Sequence, residues 1–269
     1  MNEMQETNYV NDLINDYYSD RKKDDLYNLL VSAVKFRLPP NGVVIDSLSL
    51  ENSKDEYPLG KIIKDYNPII KLPYRAITLE YIDTGLNPPV KTLVLCEQID
   101  DNHITIYNMH NFKEIGEWRI IPYCLVVNTQ NESYLLKECS NMDLSILSQE
   151  AKDGITNQLV VSYYSLLCLI VALNCSNVEQ SDCLAPVKLN KKRLASGKLP
   201  LFDYKILTLK ASQSKSTNNK HRTGNHASPR QHLRRGHIRR LKDRQIWIND
   251  CMVGDSKKGI IKKDYNVVA

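Results

Sequence analysis

Leu159-Val-Val-Ser-Tyr-Tyr-Ser-Leu-Leu-Cys-Leu-Ile-Val-Ala-Leu173 is the stretch on which the fold turns. It is apolar almost all round, and the longer run from Gly154 to Val178 carries no charged residue. A helix apolar on every side has to be surrounded, by protein or by lipid. A membrane span needs about 20 mostly apolar residues, and this centre supplies 15. Its flanks, Thr156, Asn157, Gln158, Asn174 and Ser176, are poor lipid contacts. The reading is therefore a buried central helix over 155–174, with the rest of an α+β fold packed around it and no membrane partner.

On the N-terminal side, Val10, Leu13, Ile14 and Tyr17 recur at helical spacing, and so do Leu26, Leu29, Leu30, Ala33 and Val34. Asp24 and Asp25 suit the first turn of that second helix, and Leu38-Pro39-Pro40-Asn41-Gly42 ends it. From 43 to 128 the texture becomes strand. Val43–Ile45, Tyr74–Tyr81, Thr92–Cys96, His103–Tyr107, Glu117–Ile121 and Cys124–Val127 are short runs separated by turn residues such as Asp100-Asp101-Asn102. That spacing predicts an antiparallel meander or small barrel, with Trp118 in the core. Beyond the central helix, Asn190 can cap a short basic helix that Gly197 ends, and Phe202–Leu209 reads as a strand.

The last sixty residues differ in composition. Positions 211–229 are Ser, Thr, Asn, Lys, Gly and His with little to bury, which reads as a flexible basic connector. His237–Leu241, Ile246–Val253 and Ile260–Val268 then predict a small basic β-meander of three strands. The expected organisation is a helical N-terminus (1–41), an antiparallel β-rich α+β core (42–210), the connector (211–229) and a basic β-module (230–269).

Charge is divided along the chain. The whole carries +5, but residues 1–186 have 15 Lys/Arg against 26 Asp/Glu, a net of −11. Residues 187–269 have 21 against 5, a net of +16. From 211 to 240 there are eight Lys/Arg and no acid, and four of the six histidines fall between 221 and 237. Internal neutralisation accounts for the total but not for an acid-free run. Such a run fits an external polyanion, DNA or RNA first of all. Seven scattered cysteines without a CxxC argue against a disulfide framework and for a reducing compartment, and the acidic, polar start is not a targeting signal. The expected location is the cytoplasm.

The candidate nucleic-acid-binding residues are Arg230, His232, Arg234, Arg235, His237, Arg239 and Arg240. Arginine's planar fork holds phosphate oxygens bidentately and stacks on bases. Trp247 and Tyr265 are nearby in sequence as stacking surfaces, though core packing is the plainer reading of both. His226, His232, His237 and Cys251 are competent ligands for zinc or another divalent metal. Their spacing matches no zinc finger, so no cofactor is expected. A nuclease would use His232 or His237 as general acid or base, with an arginine on the phosphate. No P-loop, GxGxxG, HExxH or GxSxG occurs to support an enzyme. A third class is an interaction or anti-defence protein whose acidic N-terminal part meets a host or phage protein.

The segments Pro186-Val-Lys-Leu-Asn-Lys-Lys-Arg193, Gly197-Lys-Leu-Pro-Leu-Phe-Asp-Tyr-Lys-Ile-Leu207, Ser228-Pro-Arg-Gln-His-Leu-Arg-Arg-Gly-His-Ile-Arg-Arg240, Ile246-Trp-Ile248, Val253-Gly-Asp255 and Lys263-Asp-Tyr265 together resemble a group of tailed-bacteriophage and prophage proteins. The string SPRxHxRRGHxRR, followed by W and VGD, is the most specific part. The resemblance covers roughly the last 85 residues and part of the central helix. It implies action in the cytoplasm of a bacterial host and carries no assigned activity, and so no catalytic residue.

Overall fold

The computed structural model describes residues 8–19, 24–44, 69–85, 87–112, 116–131, 133–139, 148–209, 230–234, 237–248, 251–253 and 255–260. Two short helices, α1 (Tyr9–Tyr17) and α2 (Asp25–Ser32), lead into strand β1 (Val34–Arg37) and a 3-10 turn at Pro40–Gly42. An antiparallel meander follows: β2 (Ala76–Asp83), β3 (Val90–Gln98), β4 (His103–Phe112), β5 (Glu117–Asn128) and β6 (Tyr134–Glu138). Helix α3 (Gln149–Leu173), β7 (Val178–Cys183), α4 (Val187–Ala195) and β8 (Tyr204–Leu209) come next. The strands form one eight-stranded sheet in the order β6-β5-β4-β3-β2-β1-β8-β7. β1 runs parallel to both its neighbours, β2 and β8, and the other pairings are antiparallel.

The architecture is α+β, as the sequence indicates, with the central helix buried against the β-rich middle. α3 begins earlier than its apolar centre. The Ser148 hydroxyl accepts the Ala151 N–H at 3.2 Å, and Glu150 sits in the first turn, where the helix dipole favours it. The apolar core of α3 then packs on Phe36, Ile77, Leu79, Val94, Ile104, Ile106, Tyr123 and Leu125 of the sheet. The helix is long and apolar enough to cross a membrane, but two-thirds of its most apolar window is buried within the protein.

The opposite sheet face carries α1 and α2 over a second core that includes Leu13, Leu30, Leu93, Leu95, Met109 and Trp118. Strand alternation builds both cores at once: in β3, Val94 and Cys96 face α3 while Leu93 and Leu95 face α1 and α2. In β5 the alternation is kept throughout, with Trp118 and Ile120 on the α1–α2 side and Ile121, Tyr123, Leu125 and Val127 on the α3 side. The register beside Pro122 is irregular, so what reads as two strands, 117–121 and 124–127, is one bulged strand.

Four expectations change. Val43 and Val44, read as the start of a strand, follow the Pro40–Gly42 turn and belong to no strand, and Ile45 lies outside the described residues. The second helix does not continue through Val34: it stops at Ser32, Ala33 turns the chain, and Val34–Arg37 enters the sheet. Asn190 does not cap α4. Pro186 precedes that helix, and the Asn190 amide instead bonds both the N–H and the carbonyl of Leu201. The C-terminal module is not a single three-stranded meander. β9 (Arg230–Arg234), β10 (His237–Arg240), β11 (Gln245–Ile248), β12 (Cys251–Val253) and β13 (Asp255–Ile260) form a β10-β11 hairpin and a separate β12-β9-β13 ladder. The predicted connector 211–229 and the predicted strand portion 261–268 lie outside the described residues.

Candidate nucleic-acid interface

The basic string maps onto two short ladders. Arg230, His232 and Arg234 are on β9, with Cys251 opposite Arg234, Val253 opposite His232 and Asp255 opposite Arg230. His237, Arg239 and Arg240 are on β10, opposite Ile248, Ile246 and Gln245. Alternation places positions 237 and 239 on one face of that hairpin and 238 and 240 on the other. Arg239 is exposed. The turn is exposed too: Lys242, Asp243 and Arg244 project from it, closed by a 2.8 Å bond from the Leu241 N–H to the Arg244 carbonyl. His226 and Arg235 lie outside the described residues, as do Asp250 and Tyr265.

Backbone contacts join this hairpin to the large domain. The Ser176 N–H donates to the Gln245 carbonyl at 2.9 Å, and Cys175 bridges Gln245, so the end of α3 grips the start of β11. The two histidines proposed for acid–base work are on different ladders, His232 on β9 and His237 on β10. Among the described residues no group of three His, Cys, Asp or Glu stands close enough to hold a metal.

No family model, curated protein or solved structure matches this chain. Its chemistry has to be read from its own geometry.

Three features were not legible in the sequence. First, a polar seam crosses the interface between the sheet and α3. His110 is buried, with its Nδ1 3.1 Å from the Thr92 hydroxyl and its Nε2 2.8 Å from the Gln158 amide. Burial pulls its imidazole down to about 4, so it is neutral near pH 7. Beside it the Asn108 amide donates to the Ser162 hydroxyl at 2.8 Å.

Second, two buried ionisable groups, Glu80 and Lys35, seat the N-terminal helices. The Glu80 carboxylate accepts the Tyr9 and Val10 N–H groups at 3.2 and 3.3 Å, at the positive end of α1. Lys35 donates to the Val31 and Ala33 carbonyls, both at 2.7 Å, at the negative end of α2. Its ammonium also lies 4.0 Å from the centre of the Phe202 ring. Burial pushes Glu80 up to about 8, against those two N–H bonds, and lowers Lys35 to about 8.

Third, an open groove of about 1230 Å³ lies beside α2 on the sheet, lined by Arg75, Glu97, His103 and Lys137 among others. Cys124 and Cys139 both line it, and their interaction pulls the Cys124 thiol down and, with burial, raises Cys139.

Proposed function

We propose that this chain is a nucleic-acid-binding accessory protein of a phage or prophage, acting in replication, regulation or host takeover in the cytoplasm of the host. Arg230, Arg234, Arg235, Arg239 and Arg240 contact phosphate, with His232 and His237 beside them. The observation that carries the reading is the concentration of basic residues on two short ladders, one ending in the exposed Lys242–Arg244 turn, in a region of net +16. Docking of that hairpin on α3 supports it further, because a positioned cation loses less freedom on binding than one on a free arm.

The test is fluorescence anisotropy of labelled duplex DNA, single-stranded DNA and RNA, titrated with salt. Six phosphate contacts give a log–log slope of about −5 on duplex DNA. Replacing Arg230, Arg234, Arg239 and Arg240 by Gln should remove most of that slope, and the probes should run intact on a gel. Cut probe would replace this reading by the nuclease. No binding to any probe at low salt would overturn it, and leave the basic residues serving the acidic part of the chain or a protein partner.

A further inference from the structure

The large domain carries a second basic surface. The run from Leu184 to Phe202 contains Lys188, Lys191, Lys192, Arg193 and Lys198 and no acid. α4 sorts these residues by face. Asn190 and Arg193, three apart, turn inward and are half-buried. Asn190 ties to Leu201. The Arg193 guanidinium donates to the Leu199 carbonyl and to the Asn11 side chain, both at 2.8 Å. Asn11 returns its own amide to the Pro200 carbonyl at 2.8 Å, and Asn8 donates to the Phe202 carbonyl at 2.9 Å. The helix and its following loop are therefore fastened to α1 by side chains from both partners.

The other face is Lys188, Lys191 and Lys192, with Lys198 just beyond the helix end, and all four are exposed. Their backbones bond within the helix and its end, as the Lys192 carbonyl does with Ser196 and the Lys198 N–H with Arg193, but none of the four ammonium groups makes a hydrogen bond or ion pair with another described residue. Elsewhere on the same domain exposed cations do find acids, as Lys71 does with Asp101 and Arg119 with Glu117. Helix stability does not account for the row either. Lys192 and Arg193 lie in the last turn, where the dipole favours cations, but Lys188 lies in the first turn, which holds no acid and where the dipole opposes it. Val187 and Leu194 flank the lysines at 69% and 60% exposure.

We infer that the Lys188–Lys191–Lys192 face of α4 is a second phosphate-contacting surface for nucleic acid, separate from the C-terminal arginines. This rests on the proposed function and deepens it. Lys188 and Lys192 are about 6 Å apart along the helix axis, close to two phosphate steps of about 3.4 Å per strand. Lysine meets phosphate as a point charge and needs no fixed fork, which suits positioning on a backbone rather than reading bases. A lipid surface fits less well. Leu184, Val187 and Leu194 are exposed beside the lysines, but the helix is only 9 residues long and its inward side is already taken by Leu201, Leu199 and Asn11.

The experiment uses the full chain and three variants: the triple K188Q/K191Q/K192Q, its charge-keeping counterpart K188R/K191R/K192R, and the four-arginine variant above. Labelled duplex DNA, single-stranded DNA and RNA are titrated across salt. Vesicles containing phosphatidylglycerol form a separate arm, and circular dichroism confirms that each variant is folded. The Gln triple should weaken duplex binding on the order of a hundredfold at 0.1 M salt and flatten the log–log slope by about 3. The Arg triple should restore both. If the unmodified chain binds and the Gln triple binds with the same slope, this surface is an ordinary solvated face and the inference fails while the C-terminal reading stands. If the Gln triple loses vesicle binding and keeps nucleic-acid binding, the partner is lipid and the inference fails. If the unmodified chain binds no probe, both readings fail together.

Discussion

On one face of the sheet α3 is held by a broad apolar surface, Leu159 through Ala172, with a narrow polar seam at His110, Asn108 and Ser162. On the other face α1 and α2 cover less area and are pinned at their ends by Glu80 and Lys35. The difference is in what each attachment responds to. Apolar burial is largely indifferent to pH and salt and scales with area. End-seating by a buried charge depends on protonation and on the partner groups staying in place. The same sheet thus carries one helix that responds to pH only through its narrow His110 seam and two that depend on ionisable groups at their ends.

Truncating each face in turn gives the largest expected difference. Leu167→Ala removes a fully buried side chain from the α3 face and should cost about 4 kcal/mol of global stability in denaturant melts. Leu13→Ala removes an equally buried side chain from α1. Its main effect should be local, seen as faster amide exchange in α1 with little change in the sheet. Equal global losses at the two sites would break the comparison.

Acid should act on the seam. His110 is held at about 4 in the fold against an ordinary value of 6.5. Between these values the unfolded chain binds a proton that the folded one excludes. The contribution is therefore fully present above pH 6.5 and is lost as pH falls toward 4, by up to about 3 kcal/mol. Glu80, raised to about 8 from 4.5, acts in the opposite direction: its contribution is present below 4.5 and is lost as pH rises to 8. His110→Gln should remove the acid-side loss, and Glu80→Gln the loss on the alkaline side. Melts from pH 4 to 8 that overlay for His110→Gln and the unmodified chain would show that His110 titrates normally.

A smaller effect is expected where the Pro40–Gly42 turn meets α3. Gly42 has φ +68°, and a β-carbon there would collide with the Ser165 side chain. Gly42→Ala should cost about 2 kcal/mol, read as a lower thermal midpoint. The smallest is Asn11→Ala. It removes the bonds to Pro200 and Arg193 and should cost about 1 kcal/mol, with α4 exchanging faster than α3.

How legible each part was follows from where its signal lay. The central helix stood out because a charge-free apolar run has few other uses. Its first turns did not, since Gln149–Gly154 is polar and exposed or half-exposed. β1 was hidden because its apolar residues continue the spacing of α2, and because Lys35 looks like a surface residue until α2's carbonyls are seen to receive it. β6 and β7 are edge strands with exposed, mixed residues and no clean alternation. Of the candidate interface, the arginine string was plain in composition. Its division into two ladders depends on which neighbouring strands pair, and the Lys188–Lys192 face depends on contacts with α1, distant in the sequence.

β1 has one further consequence. This four-residue strand lies between β2 and β8, so one edge of it stays unpaired until a segment some 170 residues later arrives. During synthesis the meander and α3 emerge first, and Val34–Arg37 presents open backbone groups until Tyr204–Leu209 follows. Any chain halted after α3 therefore leaves the ribosome with β1 as an open, sticky edge of its sheet.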